Sequence, residues 1–233
     1  FLEENLKKTF QRFLARKLGV NLKRFRHGEI EIPEKEYQEA EAWLADRDRF
    51  LALNHSGSIK ISQLEALAKI MIYKYDRKWI VFDHLTLSQP DTKGANEERL
   101  GLDQSMKMLA ALCEETGATI KVVCHVNRGT QAGRNRDIKE PTWRRCFKED
   151  ARGSSAIECL SYNVICIDLE ELPNGKRGRV RLSVQKNREA SDLGFADILS
   201  MDNRTGVMVD ATDWVYDEVK GMVRPGEGGS NGF

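Results

Sequence analysis

Trp79-Ile80-Val81-Phe82-Asp83 decides the fold of this chain, together with a second stretch, Thr119-Ile120-Lys121-Val122-Val123-Cys124-His125. Each is an apolar run that ends in a polar residue, a pattern typical of strands buried in a parallel sheet. In open α/β folds, ligands bind at the edge formed by the carboxyl ends of the strands. We therefore expect Asp83 and His125 at that edge, where an Asp can hold Mg²⁺ and a His can contact a phosphate.

The rest of the chain predicts an α/β fold in which helices first alternate with strands and hairpins follow. Helical patterns cover about residues 3–18, 33–49, 63–76, 96–116 and 154–160, and further strand patterns cover about 50–53, 163–168 and 179–185. A last hairpin is predicted from 195–199 and 206–209, with its turn at Asp202-Asn203. This order indicates a mostly parallel twisted sheet flanked by helices, with antiparallel hairpins at its C-terminal margin.

Length and composition fit one domain of ordinary size. The 233 residues are 40% hydrophobic and 31% charged, with a net charge of +1, so any nucleic-acid site must come from local clusters of basic residues. We assign residues 1–220 to this domain and 221–233 to a flexible tail, because 226–232 is Gly-rich and follows no apolar strand. No apolar run reaches the ~18 residues of a membrane span, and no secretory signal is visible. These patterns predict a cytoplasmic protein with no membrane partner.

The five cysteines are expected to be reduced thiols in apolar surroundings. None forms a C-x-x-C pair, and several lie inside apolar runs. A zinc site is therefore not expected.

One part of a nucleotide site has no match in the sequence. No stretch reads G-x-x-x-x-G-K-[ST], the loop whose backbone N–H groups and Lys bind phosphates. The chain also begins at Phe1 rather than Met. We interpret it as N-terminally truncated and expect an upstream strand and phosphate loop to complete the site. Without that loop, the fragment itself is expected to be inactive.

Six short motifs, in their order and spacing, resemble the motor domain of ring-shaped replicative DNA helicases. They are Phe1-Leu2-Glu3-Glu4, Val81-Phe82-Asp83-His84, Asn96-Glu97-Glu98-Arg99, Val123-Cys124-His125, Ala151-Arg152-Gly153-Ser154-Ser155-Ala156 and Val184-Gln185-Lys186-Asn187-Arg188. The family is the RecA-like DnaB type, helicase superfamily 4, which includes phage primase–helicases and mitochondrial Twinkle. The resemblance covers about residues 1–210 and implies a RecA-like sheet.

The resemblance implies roles for two acidic residues. Asp83 matches the family's Walker B Asp, which orders Mg²⁺ through water, as a hard cation near phosphates requires. Glu3 matches the catalytic Glu that polarises the attacking water, with Glu4 as its neighbouring rival. The structural alternatives are an Asp83 that caps a turn and a Glu3 that complements a helix dipole.

Three further residues match positions that contact the nucleotide in this family. His125 matches the His or Gln that senses the γ-phosphate. Arg188 matches the arginine finger, which acts on ATP held by the adjacent subunit, and Lys186 matches the basic residue two positions before it. Hydrolysis then requires a homo-oligomeric ring, hexameric in the family. The structural alternatives are a strand-end His and a basic strand edge. The remaining histidines are assigned to surface or packing positions: His27, His55 and His84.

A basic, polar segment at 127–150 is predicted to follow single-stranded DNA. In the family, this segment and the following Arg-Gly motif face the central channel, where basic side chains follow a backbone without reading its sequence. The resemblance therefore implies DNA contacts from Arg128, Arg134, Arg136, Arg152 and Gly153. The alternative is a solvated surface loop. Trp143 is expected to pack rather than to stack on a base.

One stretch departs from the family. Many members carry a Gln close after the Gly-Ser-Ala motif, where it helps to connect phosphate to DNA. Here the chain reads Ile157-Glu158-Cys159, and neither Glu nor Cys donates a hydrogen bond as an amide does. At this stretch, the family's usual link between the bound nucleotide and DNA binding is therefore not predicted.

The leading interpretation is an ATP-dependent replicative DNA helicase motor from a bacterial or phage-like replisome, using Mg²⁺ and ATP or another NTP. Its expected partners are single-stranded DNA, further copies of the chain in a ring, and a primase with other replisome proteins. Two alternatives stay open: a RecA-like recombinase or other ring ATPase, and a non-catalytic DNA-binding or assembly module. The order of the motifs favours the helicase, whereas the absent phosphate loop favours the non-catalytic module.

Overall fold

The computed structural model describes residues 5–46, 50–53, 55, 57–91, 97–126, 139–151, 155–173, 177–202, 205–217 and 221–224. The chain divides into two compact units. Unit 1 takes its residues from 1–18, 31–130 and 149–161, and unit 2 takes its residues from 19–30, 131–148 and 162–233. Among the described residues, no helix combines the length and the apolar character that crossing a membrane requires.

The described residues contain both α-helices and β-strands. In chain order they are α1 (Leu6–Lys17), α2 (Leu22–Arg26), α3 (Glu34–Ala45), β1 (Ile59–Lys60), α4 (Ile61–Lys69), β2 (Trp79–Phe82), β3 (Ser88–Gln89), α5 (Glu97–Thr116), β4 (Thr119–Val122), β5 (Thr142–Arg144), α6 (Ser155–Leu160), β6 (Asn163–Glu171), β7 (Arg177–Asn187), β8 (Gly194–Met201), β9 (Met208–Asp210), β10 (Val215–Asp217) and β11 (Gly221–Val223). A π-helical turn, Ile70–Lys74, extends α4, and a 3₁₀ turn, Leu85–Leu87, follows β2.

Helix ends in unit 1 follow from local chemistry. The side-chain oxygen of Asn5 accepts a hydrogen bond from Lys7 N–H at 2.8 Å, which satisfies a donor left open at the start of α1. Gly117 ends α5 at φ +66°, a conformation that L side chains rarely adopt, and its N–H donates to the Cys113 carbonyl at 2.9 Å. The predicted end of this helix is confirmed.

Unit 1 holds two parallel strand pairs among its described residues. β2 lies beside β4, with Trp79 opposite Thr119 and Phe82 opposite Val122, and β1 lies beside β3. Parallel neighbours need a long connection, and α5 lies in the connection from β2 to β4. The predicted adjacency of the strands that lead to Asp83 and His125 is confirmed.

One apolar cluster joins α5 to the strands of unit 1. Its buried members are Ile59, Leu64, Phe82, Leu85, Leu102, Met106, Leu109 and Ile157. Burying a side chain of this size contributes about 1.5–3 kcal/mol. Gly101 allows α5 to approach β3 closely, because a Cβ there would lie 2.8 Å from the Ser88 carbonyl oxygen.

The strand pair β2–β4 is buried on one face only, so the prediction of fully buried strands is wrong. Phe82 is buried, whereas Trp79 is 71% exposed and Val81 is 62% exposed. Side chains alternate between the two faces of a strand, and only the face of Phe82 meets the core cluster. On the other face, the Lys121 ammonium lies 5.1 Å from the Trp79 ring centroid.

Unit 2 contains a five-stranded antiparallel sheet in the order β5-β6-β7-β8-β9. The predicted final hairpin is confirmed, since Met201 on β8 lies opposite Met208 on β9, and Gly206 N–H donates to the Asp202 carbonyl at 2.6 Å. The fold class is confirmed, but antiparallel pairing extends further than a margin of hairpins. Four consecutive strands, β6 to β9, pair with their neighbours in the chain because short connections suffice for antiparallel strands.

Two carboxylates are buried on β6, and each is paired with an arginine of β7. Asp168 is 1% exposed and lies opposite Arg181, whose Nη2 is 2.8 Å from Asp168 Oδ2. The Trp143 ring lies beside both arginines, with centroid distances of 4.6 Å to the Arg181 guanidinium and 5.7 Å to that of Arg179. In the structure Trp143 is therefore part of this packing, as expected.

Strand pairing extends into the segment predicted as a flexible tail. β11 pairs antiparallel with β10, and Val223 lies opposite Val215. This apolar cross-strand pair stabilises the hairpin and overrides the expectation of a tail from residue 221. Residues 225–233 lie outside the described residues.

The strand predicted at residues 50–53 is also wrong. These residues form no regular element. Phe50 instead packs edge-on against two rings of α1, with centroid distances of 5.9 Å to Phe10 and 5.0 Å to Phe13. Aromatic packing on a helix replaces strand pairing here.

Candidate functional site

Main-chain hydrogen bonds beyond the β2–β4 pair hold the segment that carries Asp83. Val123 N–H donates to the Phe82 carbonyl at 3.0 Å, and Leu85 N–H donates to the Val123 carbonyl at 2.9 Å. Asp83 lies between these two bonds and is half-buried, and its peptide bond to His84 is cis. A strand of fixed register therefore positions its carboxylate.

His84 and His125 contact each other at the same edge. Their ring centroids are 4.3 Å apart and their planes meet at 66°, an edge-to-face arrangement. His84 is only 4% exposed, whereas His125 is exposed. The Thr86 hydroxyl forms a hydrogen bond with Nδ1 of His84. Through His84, the structure brings the segments of Asp83 and His125 together, while the chemical roles of both residues stay predictions.

Asp83 offers the oxygen ligand that Mg²⁺ prefers. The described part of the chain contains no group of three or more His, Cys, Asp or Glu side chains placed to hold a metal ion. Mg²⁺ commonly keeps several waters and uses one or two carboxylates together with substrate phosphates. A single strand-end carboxylate therefore fits a Mg²⁺ that arrives with a nucleotide.

Cys124, which precedes His125, belongs to the packing of unit 1. It lies against the apolar core cluster, and this burial raises the pKa of its thiol to about 11. The thiolate is the nucleophilic form of cysteine, so a protonated Cys124 is inert at neutral pH. Among the five cysteines only Cys166 is buried, and Cys159 is exposed, unlike the buried thiols that the sequence predicts.

Lys186 and Arg188 lie in unit 2, at the end of β7. Lys186 belongs to the strand, and Arg188 follows its last residue, Asn187. The Asn187 side-chain oxygen accepts hydrogen bonds from the N–H groups of Glu189 and Ala190, both at 3.2 Å. This turn ends the strand and leaves Arg188 exposed.

Tyr162 supports the side chain of Arg188. Arg188 N–H donates to the Tyr162 carbonyl at 3.1 Å, and the guanidinium carbon lies 5.0 Å from the Tyr162 ring centroid. A guanidinium over an aromatic face is held by the ring quadrupole. The aromatic ring therefore restricts the directions in which Arg188 points.

The other predicted site residues lie outside the described residues. They are Glu3, Arg128, Arg134, Arg136, Arg152 and Gly153. Their catalytic and DNA-binding roles stay predictions.

Sequence reasoning misses two residues that contact the predicted site. It assigns His84 to a surface or packing position and gives Tyr162 no role. The position of His84 directly after Asp83 is a usable signal, because the strand end lies close to the neighbouring strand end. Tyr162 gives no such signal, since its contact with Arg188 depends on the register of β6 against β7.

A parallel strand pair with an acid and a histidine at its carboxyl edge, followed by an antiparallel sheet, defines a RecA-like α/β fold. Solved structures confirm this class. One that is described as an ATPase domain matches with a TM-score of 0.68 and 12% identity, covering 89% of this chain and 72% of that one. A DnaB-like replicative helicase, described with its interactions with primase, matches with a TM-score of 0.67 and 13% identity, covering 89% of this chain and 48% of that one.

The chain belongs to the DnaB-like helicase C-terminal domain family, whose model matches residues 1–201. It spans about half the length of the DnaB-like replicative helicase. No curated protein sequence matches it.

Proposed function

We propose that this chain is the motor of an NTP-dependent replicative DNA helicase, which hydrolyses nucleotide between subunits and moves along single-stranded DNA. The observation that carries the proposal is the parallel pairing of β2 with β4, which brings the segments of Asp83 and His125 to one edge. Membership of the DnaB-like family supports it.

In this proposal, Asp83 is the residue that binds the Mg²⁺ of the nucleotide. Asp83 is half-buried at the strand end, and its carboxylate would hold, through water, the Mg²⁺ that arrives with a nucleotide. Mg²⁺, when bound with the nucleotide, neutralises charge on the phosphates. Glu3 orients the attacking water as a general base.

His125 senses the terminal phosphate. Its exposed ring can donate a hydrogen bond from a ring N–H to a phosphate oxygen. The chain continues from His125 directly into the basic segment at 127–150, so a change at the ring is passed to the predicted DNA-binding residues Arg128, Arg134 and Arg136.

Arg188 completes the site of the next subunit. Its guanidinium is exposed beyond the end of β7, where a neighbouring molecule can reach it. A planar guanidinium stabilises the charge that spreads over the transferring phosphoryl group, and Lys186 adds a second positive charge on the same strand. This division of the site requires an oligomer, for which we propose a hexameric ring.

The proposed macromolecular partners are single-stranded DNA and a primase. The DNA contacts come from Arg128, Arg134, Arg136, Arg152 and Gly153. Primase is proposed because a structure of the same fold is described with it.

The test uses the full-length protein, since the proposal requires a phosphate loop that these 233 residues do not contain. ATP turnover is measured with and without single-stranded DNA, and strand separation is measured on a forked duplex. We expect DNA-stimulated hydrolysis and unwinding, both abolished by Asp83→Asn. Wild-type protein that oligomerises on DNA but hydrolyses no nucleotide would contradict the proposal.

A second candidate is a non-catalytic DNA-binding or assembly module, favoured by the absence of a G-x-x-x-x-G-K-[ST] segment. Calorimetry with Mg-ATP separates the two candidates. The motor requires tight binding by the full-length protein and weak binding by the 233-residue chain. A module requires weak binding by both.

A further inference from the structure

We propose that His84 is a positioning residue, which fixes the ring of His125 so that it contacts the terminal phosphate of a nucleoside triphosphate. The proposal deepens the proposed function and rests on it. It starts from an asymmetry between two contacting rings: His84 is 4% exposed, whereas His125 is exposed.

The position of His125 in the chain explains why a neighbouring ring helps to orient its side chain. Regular pairing of β4 ends at Val122, and His125 lies three residues further on. An exposed side chain outside a strand keeps several rotamers, and ordering it on binding costs conformational entropy. A hydrogen bond to phosphate also requires a correct direction. A neighbouring ring at 4.3 Å reduces both costs before the nucleotide arrives.

His84 itself is well fixed. Its Nδ1 forms a hydrogen bond with the Thr86 hydroxyl. The next residue, Leu85, is fully buried in the core cluster and its N–H bonds to the Val123 carbonyl, two residues before His125. The His84 ring is therefore anchored on the core and on the chain that leads to His125.

A residue that only packs and a residue that positions His125 differ in what their loss changes. Loss of packing lowers the stability of the protein and weakens the binding of every nucleotide to the same extent. Loss of positioning weakens the binding only of the nucleotide that carries the terminal phosphate. The ratio of the dissociation constants for ADP and for a non-hydrolysable ATP analogue separates the two roles.

The experiment measures Mg-ADP and Mg-AMP-PNP binding to the full-length protein by calorimetry. Five variants are compared with the wild type: His84→Leu, His84→Phe, Thr86→Val, His125→Ala and the double variant that combines His84→Leu with His125→Ala. Ser88→Ala is the matched control, because it removes a buried hydrogen bond from the same turn without touching either ring. Thermal unfolding reports the folding of each variant.

We expect His125→Ala to raise the dissociation constant of AMP-PNP about tenfold and to leave that of ADP unchanged. The reason is that losing a hydrogen bond to a charged group lowers an affinity by at least about tenfold. His84→Leu reproduces most of this selective loss, and the double variant adds nothing further. His84→Phe keeps an aromatic neighbour and retains more of the preference than His84→Leu, whereas Thr86→Val loses part of it. Ser88→Ala keeps the wild-type ratio.

The outcomes separate this inference from the proposed function. A wild type that prefers AMP-PNP through His125, together with His84 variants of unchanged ratio, overturns the role of His84 alone. A wild type that binds neither nucleotide overturns the proposed function itself. If His84→Leu does not fold, the comparison of His84→Phe and Thr86→Val with Ser88→Ala decides the result.

Discussion

Glu170 and Arg179 form a bidentate ion pair across β6 and β7 of unit 2. Arg179 Nε donates to Glu170 Oε2 at 3.0 Å and Nη2 donates to Oε1 at 2.8 Å, while Glu170 is only 2% exposed. The third nitrogen, Nη1, donates to the carbonyls of Trp214 at 2.9 Å and Ala211 at 3.2 Å. One guanidinium therefore links the sheet to the chain that leads into β10.

Removing the charge of Glu170 is expected to destabilise the protein. Glu170→Gln leaves the partly buried Arg179 guanidinium without its counter-ion, and breaking a buried pair costs about 3 kcal/mol or more. Urea unfolding followed by circular dichroism measures the change. The control is Glu39→Gln, whose exposed partner Lys35 lies 4.0 Å away and whose loss is expected to change little. Equal unfolding midpoints for both variants would argue against the pair as a structural link.

Arg188 is predicted to act on a nucleotide in the neighbouring subunit. Arg188→Ala in the full-length protein is expected to lower ATP turnover by about 10³-fold, the usual contribution of an arginine finger. Asp83→Ala is expected to be equally inactive. Mixed oligomers restore some interfaces, because an intact Asp83 site then meets an intact Arg188. ATPase activity as a function of mixing ratio measures this, and no recovery at any ratio would exclude a shared site.

Tyr162 is predicted to tune Arg188 through its ring. Tyr162→Leu removes the cation–π contact, which is worth ~0.5–1 kcal/mol at exposed sites, and is expected to lower kcat about 2- to 5-fold. Tyr162→Phe keeps the ring face and is expected to retain wild-type turnover. Steady-state kinetics measures kcat and KM separately. Equal losses in both variants would assign the effect to the hydroxyl group.

The basic segment is predicted to bind DNA through phosphates. Arg134→Ala combined with Arg136→Ala is expected to weaken single-strand binding and to make the slope of log K against log salt shallower by about 1.4, since each phosphate contact contributes about 0.7. The control variant replaces two exposed lysines outside this segment, Lys23 and Lys35, with alanine. An unchanged slope in the arginine variant would remove the segment from the DNA path.

Cys124 is predicted to resist alkylation in the folded protein. Burial raises the pKa of its thiol from the ordinary 9.0 to about 11, so about one thiol in a thousand is ionised at pH 8. The exposed Cys159 is expected to react first, which mass spectrometry after iodoacetamide treatment measures. Because the folded pKa is the higher one, this burial stabilises the fold below pH 9 and its contribution is lost between pH 9 and 11. Rapid labelling of Cys124 at pH 8 would contradict its burial.

Local patterns predict several features of unit 1 correctly. The apolar run before Asp83 is a strand, Gly117 ends α5, and the strands on either side of α5 are neighbours. These predictions succeed because periodicity, a positive φ and the length of a connection act within a short piece of chain. The six motifs likewise suffice for the family, which residues 1–201 match.

Predictions that depend on distant partners are less successful. The sequence suggests burial for Trp79 and Val81, but the structure exposes them, because burial of a strand face depends on what packs against it. It also assigns residues 50–53 to a strand, although Phe50 packs on α1 instead. An apolar run indicates that a segment becomes buried against another segment, but it does not indicate which segment that is.

The sequence by itself determined that Asp83 and His125 follow two neighbouring strands, and that Arg188 lies beyond a third. Only the tertiary structure decided that His84 is buried against His125, that Tyr162 supports Arg188, and that Glu170 meets Arg179. The physical reason is the range of the forces involved. Strand and turn preferences act between residues close in the chain, whereas ring contacts and ion pairs depend on a register that is fixed only when the strands pair.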